Sequence, residues 1–163
     1  MTFSDRISVH QISRRGLIAG AVGTIGMTAM GARAAQADDG ATAQFKDALQ
    51  SYLNGRPISG EGSVTLTVPD LAENGNMVPF SVSVVSPMTQ DDYVRSITLF
   101  STGNPQPIIA RFYFSPVSGR ALASGRLRLA RSQDVVAAAE LSNGSVLMGR
   151  ANVQVTIGGC GAG

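Results

Sequence analysis

The sequence is short of the side chains that carry out most protein chemistry. Its 163 residues include one cysteine, Cys160, one histidine, His10, and no tryptophan. One cysteine excludes both an intramolecular disulfide and a thiolate metal cage. Charge is sparse as well, with 13 Lys and Arg against 11 Asp and Glu, a formal balance of +2. A membrane-spanning helix needs ~20 consecutive apolar residues. The most apolar stretch here, Gly16 to Ala32, is weakened by five glycines and holds a single leucine.

That stretch follows Ser13-Arg14-Arg15 and leads into Ala32-Arg33-Ala34 and Ala35-Gln36-Ala37. A basic region, an apolar region and an A-x-A site are the parts of an export signal. The adjacent arginines Arg14 and Arg15, before a segment rich in Gly and Ala, indicate the twin-arginine route. The signal is expected to span residues 1–37 and to direct the protein to the periplasm. Its removal takes Arg6, Arg14, Arg15, Arg33 and Asp5, leaving nine basic against ten acidic residues and a net charge of −1. The basic surplus thus belongs to the signal. No nucleic acid and, after cleavage, no membrane is expected as a partner.

His10 is removed too, so the mature chain has no imidazole. Ser-His and Cys-His catalysis and His-ligated metals are excluded within this chain. The expectation is a protein with no catalytic residue, no metal and no cofactor of its own.

After the signal, Phe45, Leu49, Tyr52 and Leu53 share one helical stripe in "ATAQFKDALQSYLNGRP". The pattern predicts a helix over 42–53, packed over an open end of the domain and stopped by Asn54-Gly55 and Pro57. From residue 63 the period becomes two. "SVTLTV" turns Val64, Leu66 and Val68 inward, and "VPFSVSVV" does so with Val78, Phe80, Val82 and Val84. "YVRSITLF" and "IIARFYF" are stronger still, the second with Ile108, Ala110, Phe112 and Phe114 on one face. "RLRLA", "DVVAAAEL" and "ANVQVTI" complete about seven strands, the last burying Val153, Val155 and Ile157. Asn74-Gly75 and Asn143-Gly144 read as turns, the latter as a hairpin. Short strands at this spacing without a βαβ rhythm predict an all-β, immunoglobulin-like antiparallel β-sandwich with one short N-terminal helix. It would occupy residues 38–157.

The alternation stops at Ile157, where "GGCGAG" begins. Gly158, Gly159, Gly161 and Gly163 make residues 158–163 a flexible tether. Extended, the chain from Ile157 to Cys160 reaches roughly 10 Å. Composition alone leaves three readings of Cys160: a carrier thiol, a staple between chains, or an incidental residue on a frayed end. Arg126, Arg128 and Arg131 suit an anionic substrate or partner, and equally a solvated strand face. Phe112 and Tyr113 mark sheet faces and edges where a partner could dock. Asp91, Asp92 and Ser118 fall in turns.

Four stretches taken together resemble the SoxY family of periplasmic sulfur-carrier subunits. They are "AENGNMVPFSVSVVSPMT", "NPQPIIARFYFSP", "RLRLARSQDVVAAAELSNGS" and the terminal "VQVTIGGCG". The family is known by a C-terminal Gly-Gly-Cys-Gly-Gly arm. Here the arm reads Gly158-Gly159-Cys160-Gly161-Ala162-Gly163, with alanine at the fifth position and one further glycine. The resemblance implies a non-catalytic carrier that pairs with SoxZ as a heterodimer. Cys160 would hold a thiosulfate-derived adduct, the cysteine S-thiosulfonate. The processing would fall to a haem enzyme that conjugates thiosulfate, a dimetal hydrolase that releases sulfate, and a sulfur dehydrogenase. The alternative is an exported, adhesion-type β-sandwich cross-linked through Cys160.

Overall fold

The computed structural model describes residues 29–61 and 63–159, without the side chains of residues 29–39 and 61. One helix, α1 (Ala29–Leu53), precedes nine strands. These are β1 (Ile58–Glu61), β2 (Val64–Thr67), β3 (Leu71–Asn74), β4 (Val78–Val84), β5 (Val94–Ser101), β6 (Ile108–Tyr113), β7 (Ala121–Leu127), β8 (Gln133–Leu141) and β9 (Val146–Ile157). The larger sheet runs β1-β9-β8-β5-β6, with β3 added alongside β9, and the smaller runs β2-β4-β7. The expected all-β sandwich with one helix is present.

Alternation in the sequence becomes the core between the sheets. Val78, Phe80, Val82 and Val84 of β4 point at Ile97 and Leu99 of β5 and at Val135, Ala137 and Ala139 of β8. Burying each large apolar side chain contributes about 1.5–3 kcal/mol. In β5 and β8 the alternate residues are buried as well, which explains why both read as nearly continuous apolar runs. Their second face carries Phe100, Val136 and Ala138, and these form a separate cluster with Val146 and Phe45 of α1.

The helix therefore lies on the outer face of the larger sheet and does not close an open end. It also starts at Ala29, upstream of the expected residue 42, and so includes Ala35-Gln36-Ala37. Its apolar stripe explains the site of docking: Phe45 and Tyr52 meet Phe100 edge-on, with centroids 6.3 and 5.4 Å apart. Asn54 and Gly55, both with positive φ, end it. Arg56 then pairs with Glu140 of β8 at 2.7 Å and lies 4.8 Å from the Tyr52 ring.

Three further details differ from the sequence pattern. β1 and β3 are four-residue strands that join β9 in parallel, on its first and last residues respectively. Both are too short and too polar for periodicity to reveal. In β6 the register slips where Leu99 pairs with Ala110 and Phe100 with Ile108. The extra residue, Ile109, packs on the core, and Ile108 is left 46% exposed. Finally, Ile157 is 66% exposed, although the alternation places it inside. β8 ends its pairing at Gln133–Val153, so β9 continues past its long neighbour and leaves the core. Val153 is sealed, Val155 half-buried and Ile157 open.

Candidate functional site

The overhang of β9 leads to the arm, and the chain there is held by backbone groups. Beyond Val153 the strand loses β8 but gains β3, with Leu71 opposite Gln154, Ala72 opposite Val155 and Asn74 opposite Ile157. The ladder then turns a corner. The Gly75 N–H donates to the Ile157 carbonyl at 2.8 Å, the Leu129 N–H donates to the Gly75 carbonyl at 2.8 Å, and the Gly159 N–H donates to the Leu129 carbonyl at 2.8 Å. Three segments distant in sequence thus form a closed ring of hydrogen bonds around the last residue before Cys160.

Two glycines make that ring possible by lacking a side chain. A Cβ on Gly75 would lie 2.3 Å from the Leu129 carbonyl oxygen and 2.8 Å from the Gly159 nitrogen. One on Gly159 would lie 2.7 Å from both the carbonyl carbon and the oxygen of Gly75. Neither separation is tolerable, so the backbones meet only as glycines. Asn74-Gly75 does begin a turn, since the Met77 N–H reaches the Asn74 carbonyl and the Asn76 N–H reaches Asn74 Oδ1. Yet Gly75 is not among the described glycines with positive φ, which are Gly55, Gly119 and Gly144. Space, more than dihedral freedom, requires it.

Leu129 is a firm post for this contact. Its side chain is wholly buried in the core. Its neighbours are gripped by Asn104, whose Nδ2 donates to the Arg128 carbonyl at 2.8 Å and whose Oδ1 accepts the Ala130 N–H at 2.9 Å. Gln133 locks Asn104 in turn, donating to Oδ1 at 2.8 Å and accepting the Gly103 N–H. Asn104 and Gln133 are 8% and 6% exposed. A buried polar pair with its hydrogen bonds made is rigid, and breaking it leaves costly orphans.

The sequence places the start of the tether at Gly158. In the structure Gly158 and Gly159 are half-buried, and among the described residues the last backbone group with a hydrogen-bond partner is the Gly159 amide. Cys160, Gly161, Ala162 and Gly163 lie outside the described residues, as do Arg14 and Arg15. Arg126 and Arg128 are exposed, opposite the buried Leu127 and Leu129, and Arg131 is half-buried. Arg128 adjoins Leu129 in sequence, whereas the Arg131 side chain lies against Gly103. Phe112 is taken up by the sandwich, 6.0 Å from Phe80, whereas Tyr113 is 75% exposed on the edge strand. Asp91 and Asp92 belong to an exposed turn closed by Thr89, and Ser118 accepts the Ser115 N–H in a short 3-10 turn. Among the described residues no three His, Cys, Asp or Glu side chains gather as metal ligands would.

Sequence reasoning missed Gly75, Leu129 and Asn104 as a unit. The signal was present in a weak form: Asn74-Gly75, Asn104 and Leu129 each lie in one of the stretches that carry the family resemblance.

Comparison with known proteins bears on the same region. A family model for the sulfur oxidation protein SoxY matches residues 49–160, a span that ends on the cysteine. Among solved structures, the sulfur carrier protein SoxY from Chlorobium limicola f thiosulfatophilum is similar, with 27% identity and a TM-score of 0.58. That match covers 71% of this chain and 98% of the Chlorobium protein. A superoxide reductase (neelaredoxin) from Ignicoccus hospitalis shares the fold at a TM-score of 0.51 and 19% identity, over 57% of this chain and 80% of its own. Among curated protein sequences none matches this one. The family match covers most of the chain, and it includes every segment of the hydrogen-bonded ring: this chain belongs to the SoxY family of sulfur oxidation proteins.

Proposed function

We propose that the protein is an exported, non-catalytic carrier that holds sulfur intermediates covalently on Cys160 and presents them to partner enzymes. The single observation that carries this reading is the family match ending at Cys160, the only thiol in the chain. The absence of histidine after the expected signal agrees with a division of labour in which other proteins do the chemistry.

In this reading a haem-containing enzyme joins thiosulfate to the thiol. A bond forms between Sγ and the outer sulfur of thiosulfate, the thiol proton leaves, and two electrons pass to the haem enzyme. A dimetal hydrolase then adds water across the terminal sulfur–sulfur bond. Sulfate and a proton are released and a persulfide remains on Cys160. A sulfur dehydrogenase oxidises that sulfane sulfur further. Tethering keeps each intermediate at high effective concentration around the carrier. Each exchange at sulfur proceeds through a thiolate or its persulfide equivalent. Arg14 and Arg15 mark twin-arginine export to the periplasm, where the carrier works as a heterodimer with SoxZ.

Cys160→Ser should fold and pair normally while thiosulfate-dependent turnover falls to background. Intact mass spectrometry of protein from thiosulfate-grown cells should find a reductant-labile thiosulfonate or sulfane increment on the C-terminal peptide. Full turnover by the serine variant, or a stable disulfide dimer with no small adduct, would overturn the carrier reading.

A further inference from the structure

We propose that Gly75 and Leu129 form a latch for the arm and are positioning residues for Cys160. This deepens the carrier reading and takes from it the role of Cys160, but the latch itself stands on geometry alone. The ring of three hydrogen bonds fixes the backbone up to the Gly159 amide. The next residue is the cysteine, so covalent continuity confines its Cα to within one peptide step, about 3.8 Å, of an anchored position. The backbone is thus held two residues into the glycine run.

Two consequences follow from the way the latch is built. It contains no side chain from the arm, so it adds nothing that an enzyme cleft would have to accommodate. It also lies at the end of the sandwich where β9 overhangs β8.

The latch can be opened from either side. Gly75→Ala inserts a methyl group 2.3 Å from the Leu129 carbonyl oxygen, and Gly159→Pro removes the N–H that this oxygen accepts. Cys160, as the sole thiol, takes a nitroxide spin label without further engineering. In the unaltered protein the electron paramagnetic resonance spectrum should contain a slow component from a label close to an anchored backbone. Both variants should lose that component while circular dichroism and thermal melting still report a folded sandwich. Gly40→Ala, where a methyl group meets nothing within 4 Å, should leave the spectrum unchanged. If Gly75→Ala fails to fold, Gly159→Pro decides, because its change is confined to the chain end.

Folded variants that keep the slow component would overturn the latch, as would an unaltered protein that lacks it. These outcomes are separate from the fate of the carrier reading. A label that loses its restriction in both variants, in a protein whose Cys160→Ser form still supports turnover, would leave the latch intact and remove the carrier.

Discussion

The helix and the arm root are attached to the same larger sheet by opposite means. The helix is held by side chains: Phe45 and Tyr52 close on Phe100, and Arg56 pairs with Glu140. The arm root is held by two backbone hydrogen bonds, from Gly75 and to Leu129, with a third joining those two residues, and by the empty space of two glycines. Apolar burial on this scale does not open without losing several kcal/mol. A hydrogen bond exchanged for water costs a net ~1 kcal/mol. The first attachment is the stronger of the two, and the second holds its segment in place through weaker contacts made by backbone alone.

The largest effect is expected where the two attachments are most unlike. Phe100→Ala removes the ring that both helix aromatics contact and should cost about 3–5 kcal/mol in denaturant unfolding. The arm root should be unmoved in whatever fraction remains folded, with the Gly159 amide as protected as before. A loss of that protection in the folded state would mean that the two attachments are coupled.

A smaller effect is expected from the bracing beneath the latch. Asn104→Leu leaves the Arg128 carbonyl, the Ala130 N–H and part of Gln133 without partners. Orphaned buried groups of this kind cost about 1–3 kcal/mol. The same change should loosen Leu129 and raise the exchange rate of the Gly159 amide. Unchanged exchange in a destabilised Asn104→Leu protein would reduce Asn104 to a core residue with no part in positioning the arm.

The same contrast separates what the sequence could reveal from what it could not. Attachments made by side chains leave a pattern. The stripe of Phe45, Leu49, Tyr52 and Leu53 announces the helix, and the alternation in β4 announces the core. Which face the helix covers was hidden, because Phe100, Val136 and Ala138 sit within runs that are buried on both sides. Attachments made by backbone leave almost none. β3 contributes only four residues, with Leu71 exposed and Ala72 buried, and its role lies in carbonyls and amides. Gly75 reads as an ordinary turn residue, since close approach and dihedral freedom call for the same amino acid. Ile157 completes a correct alternation and is still exposed, because the length of its neighbour β8 ends the core. The cysteine and its glycines were legible at once; the anchoring of the Gly159 amide required the fold.

The central claim is that the chain is anchored up to the Gly159 amide and that Cys160 is presented from that fixed point. Native-state amide hydrogen exchange on the folded protein tests it most directly. The account predicts that the amides of Gly75, Leu129 and Gly159 are all protected, with Gly159 the fastest of the three and still slower than an unstructured glycine. A Gly159 amide that exchanges at the unstructured rate, beside protected Gly75 and Leu129, would contradict it.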